Sequence, residues 1–164
     1  MNPFEIVTAL SVLLCTLVAG FVFAFASIAM PGIQGLNDRD FLRAFKAMDG
    51  VIQRRQPLFL MVWAGSIVVL LTASVLGFWS LGGVDYLLLI AAAVLYLLGV
   101  QWPTAAINIP LNNWLQRQDL DSLTDSAISD ARVLFEGRWI KWNLIRTIFA
   151  ALTSALLISL LLSL

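Results

Sequence analysis

Two groups of side chains carry the chemistry available to this sequence. In the first, an apolar run gives way between Tyr96 and Leu115 to Gln101, Trp102, Pro103, Asn108, Pro110, Asn112 and Asn113; in the second, Trp139, Trp142, Asn143 and Arg146 share a helical face. Gln101, Asn108 and Asn112 are separated by seven and four residues, which aligns them on one face of a helix that survives its two prolines. At about 1.5 Å per residue from the far membrane surface, Arg146 lies about 27 Å in and Gln101 about 24 Å in, so the two groups meet at one depth. Carboxamides and a guanidinium recognise polar or anionic groups. Two readings stay open at this point. In one, Arg146 snorkels to headgroups, the tryptophans anchor the interface and the asparagines satisfy a kinked helix. In the other, the residues line a polar pocket opening from the loop half of a membrane bundle, where intramembrane ionisable groups usually face an interior.

The elements that must hold these residues are membrane helices. Hydrophobic residues make up 60% of the 164 and charged residues only 12%, with a mean hydropathy of +0.91, which excludes an ordinary soluble domain. Ten Lys plus Arg balance ten Asp plus Glu, so no global field points to nucleic acid. There is no His, and Cys15 stands alone in an apolar run, so no metal site, disulfide or redox pair is expected. We expect one all-α domain, a four-helix membrane bundle with spans near residues 6–30, 58–80, 86–107 and 140–164. The first run is too long for a signal-peptide core and lacks a basic leader, so it reads as a retained helix. Small residues at Thr16, Gly20, Ala24 and Ser27, and again at Ala151, Ala155 and Ser159, suggest close helix approaches.

Two polar segments interrupt the spans. Asn37–Gln53 reads as an amphipathic helix with Phe41, Leu42, Phe45, Met48 and Ile52 on one stripe and Arg39, Arg43 and Lys46 off it. Gln116–Arg138 reads as a second, short one, with Leu120, Leu123, Ala127, Ala131 and Leu134 as its stripe. The two long loops that contain these segments and the start of the fourth span lie on one side and hold all ten basic residues, and the other side holds none. The positive-inside bias therefore puts the loops in the cytoplasm and both termini outside, in what reads as a bacterial inner membrane.

At this point the residues resemble a family. Gly20-Phe21-Val22-Phe23-Ala24-Phe25 followed by Met30-Pro31, then Asn108-Ile109-Pro110-Leu111-Asn112-Asn113, then Trp139, Trp142-Asn143 and Arg146-Thr147 are similar to the DUF1772, or anthrone oxygenase-like, membrane proteins. The resemblance runs through nearly the whole chain. It implies oxidation of an anthrone to an anthraquinone by molecular oxygen without metal or flavin, on a flat phenolic or quinone-like ligand. Arg146, Asn108 and Asn143 would then act on the enolate as preorganised donors, with Gln101, Asn112, Asn113 and Trp142 binding the ligand and Trp142 stacking on its ring. No Asp, Glu or His lies in the polar half of any span. Proton removal would fall to water, or to Asp49, Asp119 or Glu136 folding in from a loop. The other class of function is a non-enzymatic membrane subunit that recruits a partner, or a second copy, through its amphipathic segments. A transporter is disfavoured, since the chain has neither an inverted repeat nor a mid-membrane carboxylate.

Overall fold

The computed structural model describes residues 2–164, which form five helices. Four are long and apolar enough to cross a membrane: α1 (Pro3–Gln34), α3 (Pro57–Ser80), α4 (Gly83–Gln116) and α5 (Asp125–Ser163). The fifth, α2 (Asp38–Gln53), lies beneath the bundle at its loop end, where it packs on α5 and the last turns of α4.

Local chemistry starts each helix. Asn2 Oδ1 accepts the Glu5 N–H at 3.0 Å while the Glu5 carboxylate accepts the Asn2 N–H, a reciprocal cap, and Pro3 occupies the first turn. Asn37 caps α2 through Asp40 N–H, Gln56 caps α3 through Phe59 N–H, and Thr124 caps α5 through Ala127 N–H. Between α3 and α4 the chain reverses through Gly82 and Gly83, the latter at φ +48, where a side chain would be strained.

The prolines widen the helices instead of breaking them. Met30, Trp102 and Ile109 each precede a proline, and each donates its N–H five residues back, to Phe25, Leu97 and Thr104. A proline ring collides with the carbonyl four residues before it, and a π turn relieves that collision by adding a residue to the loop of the helix. The third span therefore continues past residue 107 to Gln116. The second polar segment is likewise not a separate element: from Asp125 it is the first part of α5, continuous with the fourth span, and only 117–124 is connection. Its buried stripe is Ile128, Ala131, Phe135 and Trp139, with Leu134 exposed, because the stripe keeps the period of the long helix it belongs to.

The small residues mark a helix seam but not its tightest point. Thr16, Gly20, Ala151 and Ala155 line an exposed groove between α1 and α5, and a Cβ at Gly20 would meet nothing within 4 Å. The tight approach is elsewhere: a Cβ at Gly99 would lie 2.2 Å from Phe149 Cγ on α5. Two clusters form the core. One, in the far half, is built on Cys15, Leu70, Leu89, Tyr96 and Leu157. The other, at the loop end, joins Phe41, Leu42 and Phe45 of α2 to Leu111, Leu115, Phe135 and Trp139.

Basic side chains tie the loop end together. Lys46 donates to Gln118 O at 2.6 Å, and Arg39 to the Leu120 and Leu123 carbonyls and to Asp125. Arg132 reaches Gln34 O at 2.7 Å and Leu36 O at 2.8 Å and pairs with Asp38 and Glu136. These bonds seat α2 against α1 and α5, and so fix what α2 presents to the bundle.

Candidate functional site

At the loop end the four spans enclose a cavity of about 220 Å³, larger than the ~150 Å³ that holds benzene. Its walls are aromatic. Phe21 and Phe25 come from α1, Phe45 from α2, Phe59 and Trp63 from α3, and Trp139 from α5. Phe59 and Trp63 stack at 5.3 Å, while Trp139 is wedged between Phe25 at 5.6 Å and Phe45 at 5.1 Å. Such faces suit a flat, conjugated guest.

Into this apolar chamber five polar side chains converge: Asp49, Thr104, Asn108, Asn112 and Arg146. The π turn Thr104–Asn108 brings Thr104 and Asn108 to the wall, so the distortion imposed by Pro110 lies in the site itself. Arg146 is 5% exposed; Nη1 donates to Thr104 Oγ1 at 3.0 Å and Nη2 to Asn143 Oδ1 at 2.7 Å, and Nε has no partner. Its guanidinium carbon stands 5.7 Å from the Trp139 ring centroid. Both hydrogen-bond partners are neutral, and among the described residues Arg146 forms no ion pair with a carboxylate. Asn108 is 2% exposed, and neither its Nδ2 nor its Oδ1 has a partner. A buried charge without a counter-charge, beside a buried carboxamide without a bond, is costly to hold.

Asp49, 2% exposed, is the carboxylate of the cavity. Asn112 Nδ2 donates to Oδ1 at 2.7 Å, and Gln116 and Gln53 donate to Oδ2 at 2.7 and 3.2 Å. Asn112 in turn accepts from Trp139 Nε1 at 2.9 Å, so a chain of bonds runs from the aromatic wall to the acid. The carboxylate is held by donors alone and leads with an acceptor, while Arg146 leads with a donor.

Of the residues expected from sequence, Arg146, Asn108 and Asn112 share this wall. Asn143 stands behind Arg146, donating to Val22 O at 3.0 Å and so fixing α5 to α1. Gln101 accepts from Trp63 Nε1 at 2.9 Å, and Asn113 accepts from Gln53 at 3.0 Å. Trp142 is not brought to the cavity; it meets Trp102 edge-on at 6.2 Å in a groove between α4 and α5. At 3.6 residues per turn it sits about 60° around the helix from Trp139. Among the three loop acids, Glu136 is paired to Arg132 and Asp119 is exposed, and neither lines the cavity, whereas Asp49 does. The sequence carried a signal for it: Leu42, Phe45, Asp49 and Ile52 form one helical stripe, and an acid in an apolar stripe has a reason to be there. Thr104 and the aromatic box gave no such signal.

The family model for anthrone oxygenase matches residues 51–156. No curated protein and no solved structure matches the chain. The matched stretch runs through α3, α4 and most of α5 and carries Trp63, Thr104, Asn108, Asn112, Trp139 and Arg146; covering well over half of the sequence, it shows that the chain belongs to the anthrone oxygenase family.

Proposed function

We propose that this membrane protein binds a flat phenolic substrate of the anthrone type in the aromatic cavity and oxidises it with molecular oxygen to the quinone, using its own side chains and no cofactor. The observation that carries the reading is the buried Arg146 guanidinium, without a carboxylate partner, beside an Asn108 whose two polar atoms are unbonded. An oxyanion on a ring supplies the acceptor that Arg146 Nε and Asn108 Nδ2 lack.

The chemistry divides between the two ends of one ring system. Asp49 takes a proton from the ring methylene, and the electron pair moves onto the carbonyl oxygen, which faces Arg146 and Asn108 Nδ2. The resulting electron-rich anion passes one electron to oxygen, and the radical pair combines at the former methylene carbon to a peroxide anion. That anion recovers the proton from Asp49. Asp49 then removes the second C–H proton, the O–O bond breaks, a C=O bond forms, and the departing hydroxide takes the proton as water. The balance is anthrone plus oxygen to anthraquinone plus water. Trp139, through Asn112, keeps the carboxylate oriented across both proton transfers.

The partner-recruiting alternative has less to stand on, because the apolar face of α2 is spent on the chain's own core. The test is oxygen uptake with 1,8-dihydroxyanthrone, corrected for its spontaneous oxidation, by the full chain in lipid nanodiscs. Asp49→Asn is expected to lower turnover about 10²- to 10⁴-fold while 1,8-dihydroxyanthraquinone still binds. Wild-type turnover in Asp49→Asn, or an uptake rate for the wild type no greater than the spontaneous one, overturns the proposal.

A further inference from the structure

The four spans do not close evenly around the cavity. α1 packs along α3 and α5, and α4 along α5, but α3 and α4 pair near their turn and have little backbone contact beyond residue 96. The last link across that seam is Trp63 Nε1 to Gln101 Oε1 at 2.9 Å. On the loop side of this link the cavity wall reaches the outer surface of the bundle. Leu60 is 42% and Ile109 45% exposed, and Ala64, next to Trp63, is exposed as well; all three line the cavity. Both charged residues of the chamber are buried. A mouth meant for water would be rimmed by polar groups, whereas this one is rimmed by apolar side chains on two membrane-spanning helices.

From this we infer that the gap between α3 and α4, bounded by Leu60, Ala64 and Ile109 beside the Trp63–Gln101 link, is a lateral portal through which a neutral, lipid-dissolved phenolic ring compound passes from the bilayer into the site. The inference rests on the function proposed above and adds the route of the substrate and its charge state on entry. A neutral tricyclic phenol partitions into hydrocarbon and crosses an apolar rim at little cost, while its anion does not. Ionisation therefore follows passage, inside, where Asp49 and Arg146 stand. The quinone product is again neutral and leaves by the same gap.

The test uses Ala64→Cys in the folded full chain in nanodiscs, where Cys15 is buried and serves as an unreactive background. A lipid-dissolved maleimide (N-pyrenyl) is expected to modify the introduced thiol, and a charged, membrane-excluded maleimide is not. Modification plugs the gap after folding. Binding of 1,8-dihydroxyanthraquinone, read by quenching of tryptophan fluorescence, should then slow about tenfold or more in association and dissociation alike, since a blocked gate acts on both directions. Ile109→Cys, plugged in the same way, should repeat the result from the other side of the seam. Equal reaction with the charged reagent, no reaction with the lipid-dissolved one, or unchanged rates after plugging overturns the portal and leaves the site reading intact. If the unmodified wild type fails to bind the quinone at all, both fall together.

Discussion

Replacing Arg146 separates a residue kept for the fold from one kept for a ligand. Its guanidinium makes two hydrogen bonds, to Thr104 Oγ1 and Asn143 Oδ1, and leaves Nε unbonded. Hydrogen bonds from a charged group contribute about 1.5–3 kcal/mol each, so Arg146→Leu forfeits about 3–6 kcal/mol. Against that, the substitution removes a desolvated charge with no counter-charge, whose penalty is itself several kcal/mol. Thr104 Oγ1 still donates to Val100 O, but Asn143 Oδ1 loses its donor from Arg146, and that loss is part of what the two bonds forfeit. The two sides nearly cancel, and the apo protein should change in stability by no more than about 2 kcal/mol in either direction. Ligand binding has no such compensation. Losing the charge-assisted hydrogen bond to a quinone carbonyl costs about 1.5–3 kcal/mol, roughly 10- to 150-fold in Kd. Arg146→Lys should lose nearly as much, since an ammonium cannot span Thr104, Asn143 and a ligand oxygen in one plane. The assay is thermal unfolding in detergent beside a fluorescence titration with 1,8-dihydroxyanthraquinone. A loss of about 4 kcal/mol or more in stability, with affinity unchanged, refutes the reasoning and makes Arg146 a structural strut.

Further outcomes follow from the packing and the turns. Gly99→Ala puts a methyl where Phe149 already stands, so α4 and α5 must separate, and stability should fall by about 1–3 kcal/mol in the same unfolding assay, with Gly20→Ala as the neutral comparison. Arg55 ends α2 at φ 58, so Arg55→Gly should stabilise by about 0.5–1 kcal/mol, and a loss instead would mean that its side chain holds the loop. The placement of all ten basic residues at the loop end leads us to propose that this end is cytoplasmic; in intact cells a thiol introduced at Gly83 should react with a membrane-impermeant reagent and one at Ser126 should not, and the reverse pattern inverts the topology.

What the sequence alone determined is whatever the bilayer penalises. A run of twenty apolar residues has one use, and a membrane arginine or a pair of amides needs partners that lipid lacks, so the four helices and the convergence of Arg146, Asn108 and Asn112 were legible before any coordinates. The rotation of each span was not legible, because lipid and neighbouring helices are equally apolar and leave no amphipathic stripe to read. Small residues at Gly20 and Ala151 therefore mark the α1–α5 groove while the tightest approach falls at Gly99, and Trp142, one position from Asn143, turned out of the cavity. The effect of Pro103 and Pro110 was also a matter for the folded chain: whether a freed turn breaks or widens depends on whether neighbours hold the helix on both sides of it, and here α5 and α2 do. Above all, the tertiary structure decided which loop carboxylate reaches the cavity. Asp49 belongs to a helix outside the spans, and only the seating of α2 by Arg39, Lys46 and the Phe45 contacts turns its acid upward, into the chamber that Arg146 also lines.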